Sequence, residues 1–217
     1  MRALLLITLL VVLVSLKSQA QKDTTATVDL LGEMNKTAPE KTKLLPDKIL
    51  FTQRIFWGEK GLMRNFSTFE LTPEKRQNEL KVRRTMLVAH QVMGMLTLGG
   101  MVAQGVVGAK LYNASGNDYK RLKDTHEFIA GAVNFGYFST AALSLFAPPK
   151  MLNERKGYSS IKLHRGLAIV HLSAMIATNV LATMMDGPNN AKIRPYHRAA
   201  AYTAFGAFAA SMIVIKF

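Results

Sequence analysis

Five histidines are the side chains in this sequence best equipped for chemistry: His90, His126, His164, His171 and His197. A neutral imidazole offers one nitrogen to a transition metal and a second that a neighbouring group can hold in place. The rest of the sequence narrows what that chemistry can be. There is no cysteine, which removes disulfides, thiolate catalysis and iron–sulfur clusters. The apolar blocks around the histidines contain no Asp or Glu, so a di-metal site built on buried carboxylates is excluded. A glycine-rich phosphate loop and a nucleophile elbow are both missing.

The elements that must position these histidines are four stretches free of charge. They lie between Arg84 and Lys110, Glu127 and Lys150, Arg165 and Asp186, and Arg198 and Lys216. Each is about 17 to 25 residues, the length of a helix that spans a bilayer. The chain has 217 residues and a net charge of +14. Its Lys and Arg residues lie between the apolar blocks, where membrane proteins keep their charge, so the basic balance does not point to nucleic acid. Gly, Ala, Ser and Thr recur inside the blocks, which lets membrane helices approach closely or leaves room for a flat cofactor. The expected fold is all-α: a transmembrane four-helix bundle.

Topology then pairs the histidines. The expected connections, residues 112–124, 151–160 and 187–196, are short, and short connections make neighbouring helices antiparallel. Each helix carries a histidine near its own N-terminal end. The first and third helices start on one side of the membrane, which brings His90 and His164 together. The second and fourth start on the other, which brings His126 and His197 together. Two facing imidazoles are the axial ligands of a six-coordinate haem. The expectation is two non-covalent b haems, stacked across the bilayer on the order of 15–25 Å apart. Without cysteine, covalent c-type attachment is excluded. His171 lies two turns beyond His164 on the same face. It either hydrogen-bonds a propionate, a neighbouring helix or water, or replaces His164 as the partner of His90. Arg83, Arg84, Lys162 and Arg165 flank the first pair, and Lys120, Arg121, Lys123, Arg194 and Arg198 the second. They serve as neighbours for haem propionates or as ordinary juxtamembrane charge. Gln91, Gln104, Asn134, Tyr137 and Asn179 are polar groups inside the blocks, free to tune a haem or to face another helix.

Three domains are expected. Residues 1–20 have the layout of a signal peptide, with a basic start, an apolar run of about 14 residues and a small-residue cleavage site after Ala20. Residues 21–83 form an N-terminal extension. Within it, residues 22–46 read as a polar linker. Residues 47–69 read as an amphipathic helix on the membrane surface, or as a segment packed on a partner or on the bundle top. Thr72, Pro73 and Glu74 mark a helix start. Residues 84–217 form the four-helix domain.

The runs AHQVMGMLTLGG, THEFIAGAV, KLHRGLAIVH and PYHRAAAYTAFG, with separations of 36, 38 and 33 residues between His90, His126, His164 and His197, resemble the cytochrome b561 superfamily in its bacterial and domain-fused forms. The resemblance covers residues 84–217. It implies that His90 and His164 bind one haem and His126 and His197 the other, and that the chain moves electrons across a membrane. The basic motifs and two further helices of the ascorbate-using members are not found here. The segment 21–83 has no counterpart in the family.

The leading expectation is an electron-transfer cytochrome in the bacterial inner membrane. It would take electrons from a cytoplasmic donor or quinol and deliver them to an acceptor outside. The alternatives are a haem-bearing anchor subunit of a larger redox complex, with residues 47–69 as the docking surface, and a haem-free membrane scaffold. The signal peptide places the mature N-terminus on the periplasmic side, so His90 and His164 face outward. Lys75, Arg76, Lys81, Arg83 and Arg84 on that side run against the positive-inside rule. The length and cleavage site of the signal peptide decide the expectation.

Overall fold

The computed structural model describes residues 43–151, 159–186 and 190–216. The chain divides into two units, Met1–Lys43 and Leu44–Phe217. The expected signal peptide and nearly all of the expected linker fall in the first and lie outside the described residues. The second unit is helical throughout its regular elements. Helix α1 spans Phe51–Trp57 and is followed by 3₁₀ turns at Leu62–Asn65 and Ser67–Phe69. Four long helices follow: α2, Pro73–Tyr112; α3, Gly116–Leu145; α4, Ser160–Thr183; and α5, Asn190–Lys216, with a 3₁₀ turn at Met184–Asp186 before the last. All four are long and apolar enough to cross a membrane, and together they form the helical bundle of an integral membrane protein.

The starts of these helices follow from local sequence. Thr72 caps α2, its hydroxyl accepting from the Lys75 amide at 3.3 Å, and Pro73 fills the first helical position, where its missing N–H is not needed. Ser159 caps α4 in the same way through the Lys162 amide. The expected connection at residues 112–124 is much shorter in the structure, because α3 already begins at Gly116. The charged stretch after Gly116 supports a helix through Asp118–Arg121 at 2.9 Å and Lys123–Glu127 at 2.6 Å, spaced one turn apart. Gly116 has φ +57°, a left-handed conformation that a side chain disfavours. The connection expected at 187–196 is also shorter, since α5 begins at Asn190 and takes Pro195 into its second turn.

Packing concentrates within two antiparallel hairpins, α2 with α3 and α4 with α5, while backbone approach between α2 and α5 is sparse. The bundle is inside-out by the standards of a water-soluble protein. Large apolar residues such as Leu96, Phe128, Phe135 and Ile169 face outward, and small ones such as Gly94, Gly136 and Ala204 are buried. Lipid is as apolar as leucine, so such helices associate through close packing and polar contacts rather than burial of bulk. The buried cluster is Met101, Val133, Tyr137, Met175, Ala204 and Phe208.

The segment before α2 folds over one end of the α2–α3 hairpin. The chain after Leu145 runs into Ala147, Pro148 and Pro149, which cannot continue the helix. That leaves carbonyls in need of donors. Side chains supply them: Thr52 donates to Leu145 O at 2.6 Å, Trp57 to Phe146 O at 2.8 Å, and Gln53 to Ala147 O at 3.0 Å. Arg83 donates to Pro148 O at 2.6 Å and Arg76 to Pro149 O at 3.0 Å. The buried Glu79 carboxylate pairs with both Arg64 and Arg76, and Arg64 also donates to Phe69 O at 2.6 Å. Within residues 47–69, the expected packing on the bundle end is observed for Phe51–Trp57.

Candidate functional site

The two expected histidine pairs face each other across the hairpins. The ring centroids of His90 on α2 and His164 on α4 lie 6.2 Å apart. Those of His126 on α3 and His197 on α5 lie 6.5 Å apart. Each member of a pair comes from a different hairpin, so each pair bridges the seam where backbone packing is sparse. All four imidazoles are half-buried.

Their outer nitrogens are held from behind. His90 Nδ1 lies 2.8 Å from Thr140 O, His164 Nδ1 2.9 Å from Ser211 O, and His197 Nδ1 3.0 Å from Thr178 O. A carbonyl only accepts, so Nδ1 carries the proton in each case and Nε2 keeps its lone pair. The Gln104 carbonyl lies beside the His126 ring, but no hydrogen bond closes on the buried His126 Nδ1, nor on the buried Gln104 Oε1.

These contacts obey one rule. Thr140 lies 14 residues after His126, Ser211 14 after His197, Thr178 14 after His164, and Gln104 14 after His90. Each histidine therefore meets the carbonyl four turns along the partner helix of its own hairpin. Fourteen residues rise about 21 Å, which sets the two histidine layers at opposite ends of the bundle, about that far apart. Between them the inward positions alternate by four and three residues, as on a packed helix seam. Small residues sit four beyond each histidine: Gly94, Ala130, Ala168 and Ala201. Buried residues follow at seven: Thr97, Val133, His171 and Ala204. Larger buried ones come at eleven: Met101, Tyr137, Met175 and Phe208.

His171 thus belongs to the middle layer. Its Nδ1 lies 2.6 Å from the Tyr137 hydroxyl, and its ring packs against Phe208 at 5.1 Å. It does not face His90. Close by, Asn134 and Asn179 exchange amide hydrogen bonds of 2.8 and 2.9 Å between α3 and α4. These two polar contacts bridge the hairpins where backbones stay apart. Of the basic residues around the sites, Arg83 is committed to Pro148, and Arg198 stacks over the Tyr112 ring at 4.1 Å.

The carbonyls of Thr140, Thr178 and Ser211 are the site features that the sequence reading missed. Each is a backbone oxygen, which any residue type supplies, so the spacing of 14 residues shows itself only in the register of the folded hairpins. Chemically, each pair offers two imidazole nitrogens and no more. Among the described residues no three of His, Cys, Asp and Glu converge. A metal held there would draw its other ligands from outside the protein, as water or as a cofactor. A first-row metal bonds imidazole at about 2 Å, and the ring centre lies about 1 Å behind the nitrogen, so two imidazoles on opposite sides of one metal have centroids about 6 Å apart. Rotation of a ring about its metal bond leaves that separation unchanged. The centroid separations of both pairs, 6.2 and 6.5 Å, match that distance.

The fold and site define an integral membrane four-helix bundle with a facing histidine pair near each end. No protein-family model, curated protein or solved structure matches the chain.

Proposed function

We propose that the chain is a transmembrane electron-transfer cytochrome with two non-covalent b haems, one between His90 and His164 and one between His126 and His197. The observation that carries this reading is the centroid spacing of 6.2 and 6.5 Å in two pairs at opposite ends of one bundle. Two protein ligands are what a haem iron needs, since the macrocycle supplies the other four. The resemblance to the cytochrome b561 superfamily, drawn from the same histidines, supports the same pairing.

The chain's residues have defined tasks in this reading. His90, His164 and His197 bind through Nε2, because their Nδ1–H groups are committed to carbonyls. Those carbonyls orient the rings and raise their basicity. Gly94, Ala168, Ala130 and Ala201 leave space beside each pair for a flat ring. Bound haem supplies a reversible one-electron couple at each end of the bundle. Haem held by His126 and His197 would take electrons from a cytoplasmic donor or quinol, and haem held by His90 and His164 would pass them to an acceptor on the outer side of a bacterial inner membrane.

The test is a pyridine haemochrome count with reduced-minus-oxidised spectra on the full chain, expressed with ample haem and purified in detergent. Two haems per chain with a sharp b-type alpha band support the proposal. One haem breaks the relay and favours an anchor subunit. A folded protein without haem overturns the proposal.

A further inference from the structure

We propose that the cap formed by residues 50–66 is a membrane anchor, seated with its outer face in the headgroup–acyl boundary of the bilayer that the bundle spans. This rests on the membrane-spanning architecture and not on haem.

Helix α1 is tied to Leu145, Phe146 and Ala147 through Thr52, Trp57 and Gln53. At the same level Arg83 reaches Pro148 O. Arg83 and Arg84 are the last charges before the charge-free block of α2, and Lys150 is the first after that of α3. The cap therefore lies where charge resumes on both helices of the hairpin, which is the membrane–water boundary.

The two faces of the cap differ in chemistry. Thr52, Gln53, Phe56 and Trp57 point at the bundle, with Phe56 edge-on to Phe146 at 5.1 Å. Leu50, Phe51, Ile55, Leu62 and Phe66 point away, Phe51 being 75 % and Phe66 60 % exposed. A soluble cap would turn these rings inward. Exposed Lys48, Arg54 and Lys60 are interleaved with them, the pattern of a segment that dips apolar side chains below anionic headgroups. The cap also packs directly on the end of α3, where Leu145 and Phe146 are exposed large apolar residues and Phe56 meets Phe146.

The chain has no cysteine, so single labels can be placed at will. Phe51→Cys, Leu62→Cys and Phe66→Cys each receive a nitroxide, in the full chain reconstituted into nanodiscs of phosphatidylcholine and phosphatidylglycerol. Accessibility to dissolved oxygen is compared with that to a water-soluble nickel chelate. Asn117→Cys, exposed at the far end of the α2–α3 hairpin, is the aqueous reference and Leu96→Cys the bilayer reference. The expected oxygen-to-nickel ratio at all three cap positions is several-fold above Asn117→Cys and below Leu96→Cys. A ratio equal to that of Asn117→Cys overturns the proposal. So does shielding from both reagents, which would mean that residues 1–42, a second copy or another protein covers this face. Unchanged Trp57 emission verifies that each variant keeps its cap. Quenching of Phe51→Trp by brominated lipid gives an independent reading: quenching above wild type supports the anchor, and its absence overturns it.

Discussion

The Tyr137 hydroxyl and the His171 imidazole share a hydrogen bond of 2.6 Å in the middle layer of the bundle. His164, not His171, is the histidine whose ring lies opposite His90, at 6.2 Å. His171 sits seven residues beyond His164, about 10 Å along α4. It joins the hairpins where the facing pairs do not. Tyr137→Phe leaves that buried nitrogen without its partner. The expected loss is about 1 kcal/mol of bundle stability, read by thermal or detergent unfolding, with both haems retained in the spectrum. Loss of the haem signal would show that the middle layer also sets the sites.

Asn134 and Asn179 form the second clasp between hairpins. Asn134→Leu removes both exchanged bonds, although Asn179 still donates to Met175 O at 2.8 Å. A loss of about 1 kcal/mol is expected. The double variant Asn134→Leu/Asn179→Leu should recover most of it, because no buried amide is then left unmatched. A double-mutant cycle measures this, and strictly additive losses would contradict the pairing.

Glu79 is fully buried between Arg64 and Arg76. Glu79→Gln leaves two guanidinium groups without their carboxylate, and breaking a buried pair in this way costs about 3 kcal/mol. The effect should be confined to the cap. Trp57, the chain's one tryptophan, lies edge-on to Phe69 at 5.2 Å, so its emission shifts to the red as the cap opens to protease. Unchanged emission and protease resistance would show that the network does not hold the cap.

Gly108 abuts the His126 ring: a Cβ there would lie 3.0 Å from Cε1 and 3.4 Å from Nδ1. Gly108→Val should displace His126 and remove the haem it shares with His197, while the His90–His164 haem stays. Gly105 has nothing within 4 Å of its would-be Cβ, so Gly105→Val should leave both. Equal spectra for the two variants would contradict the placement of His126.

The four helices and the pairing of His90 with His164 and of His126 with His197 were legible because charge-free length and alternation of direction depend on sequence order alone. The choice between His164 and His171 was not. Both lie on one face of α4, and only the register between hairpins separates the layer that meets α2 from the layer that meets Tyr137. The carbonyl partners were hidden for a similar reason: a backbone oxygen has no sequence signature, and the 14-residue rule appears only once two antiparallel helices are in register. The start of α3 was misplaced by reading charge as loop, when Asp118–Arg121 and Lys123–Glu127 are helix-spaced pairs. The role of Thr52, Gln53 and Trp57 depends on a helix end almost a hundred residues away, which no local pattern reports.

Single-histidine variants separate the two proposed haem sites. Haem count and low-temperature difference spectra are recorded for His90→Ala, His164→Ala, His126→Ala, His197→Ala and His171→Ala. His90→Ala and His164→Ala are expected to lose the same spectral component, His126→Ala and His197→Ala the other, and His171→Ala neither. Loss of different components by His90→Ala and His164→Ala, or two intact haems in either, would show that the two histidines do not hold one haem.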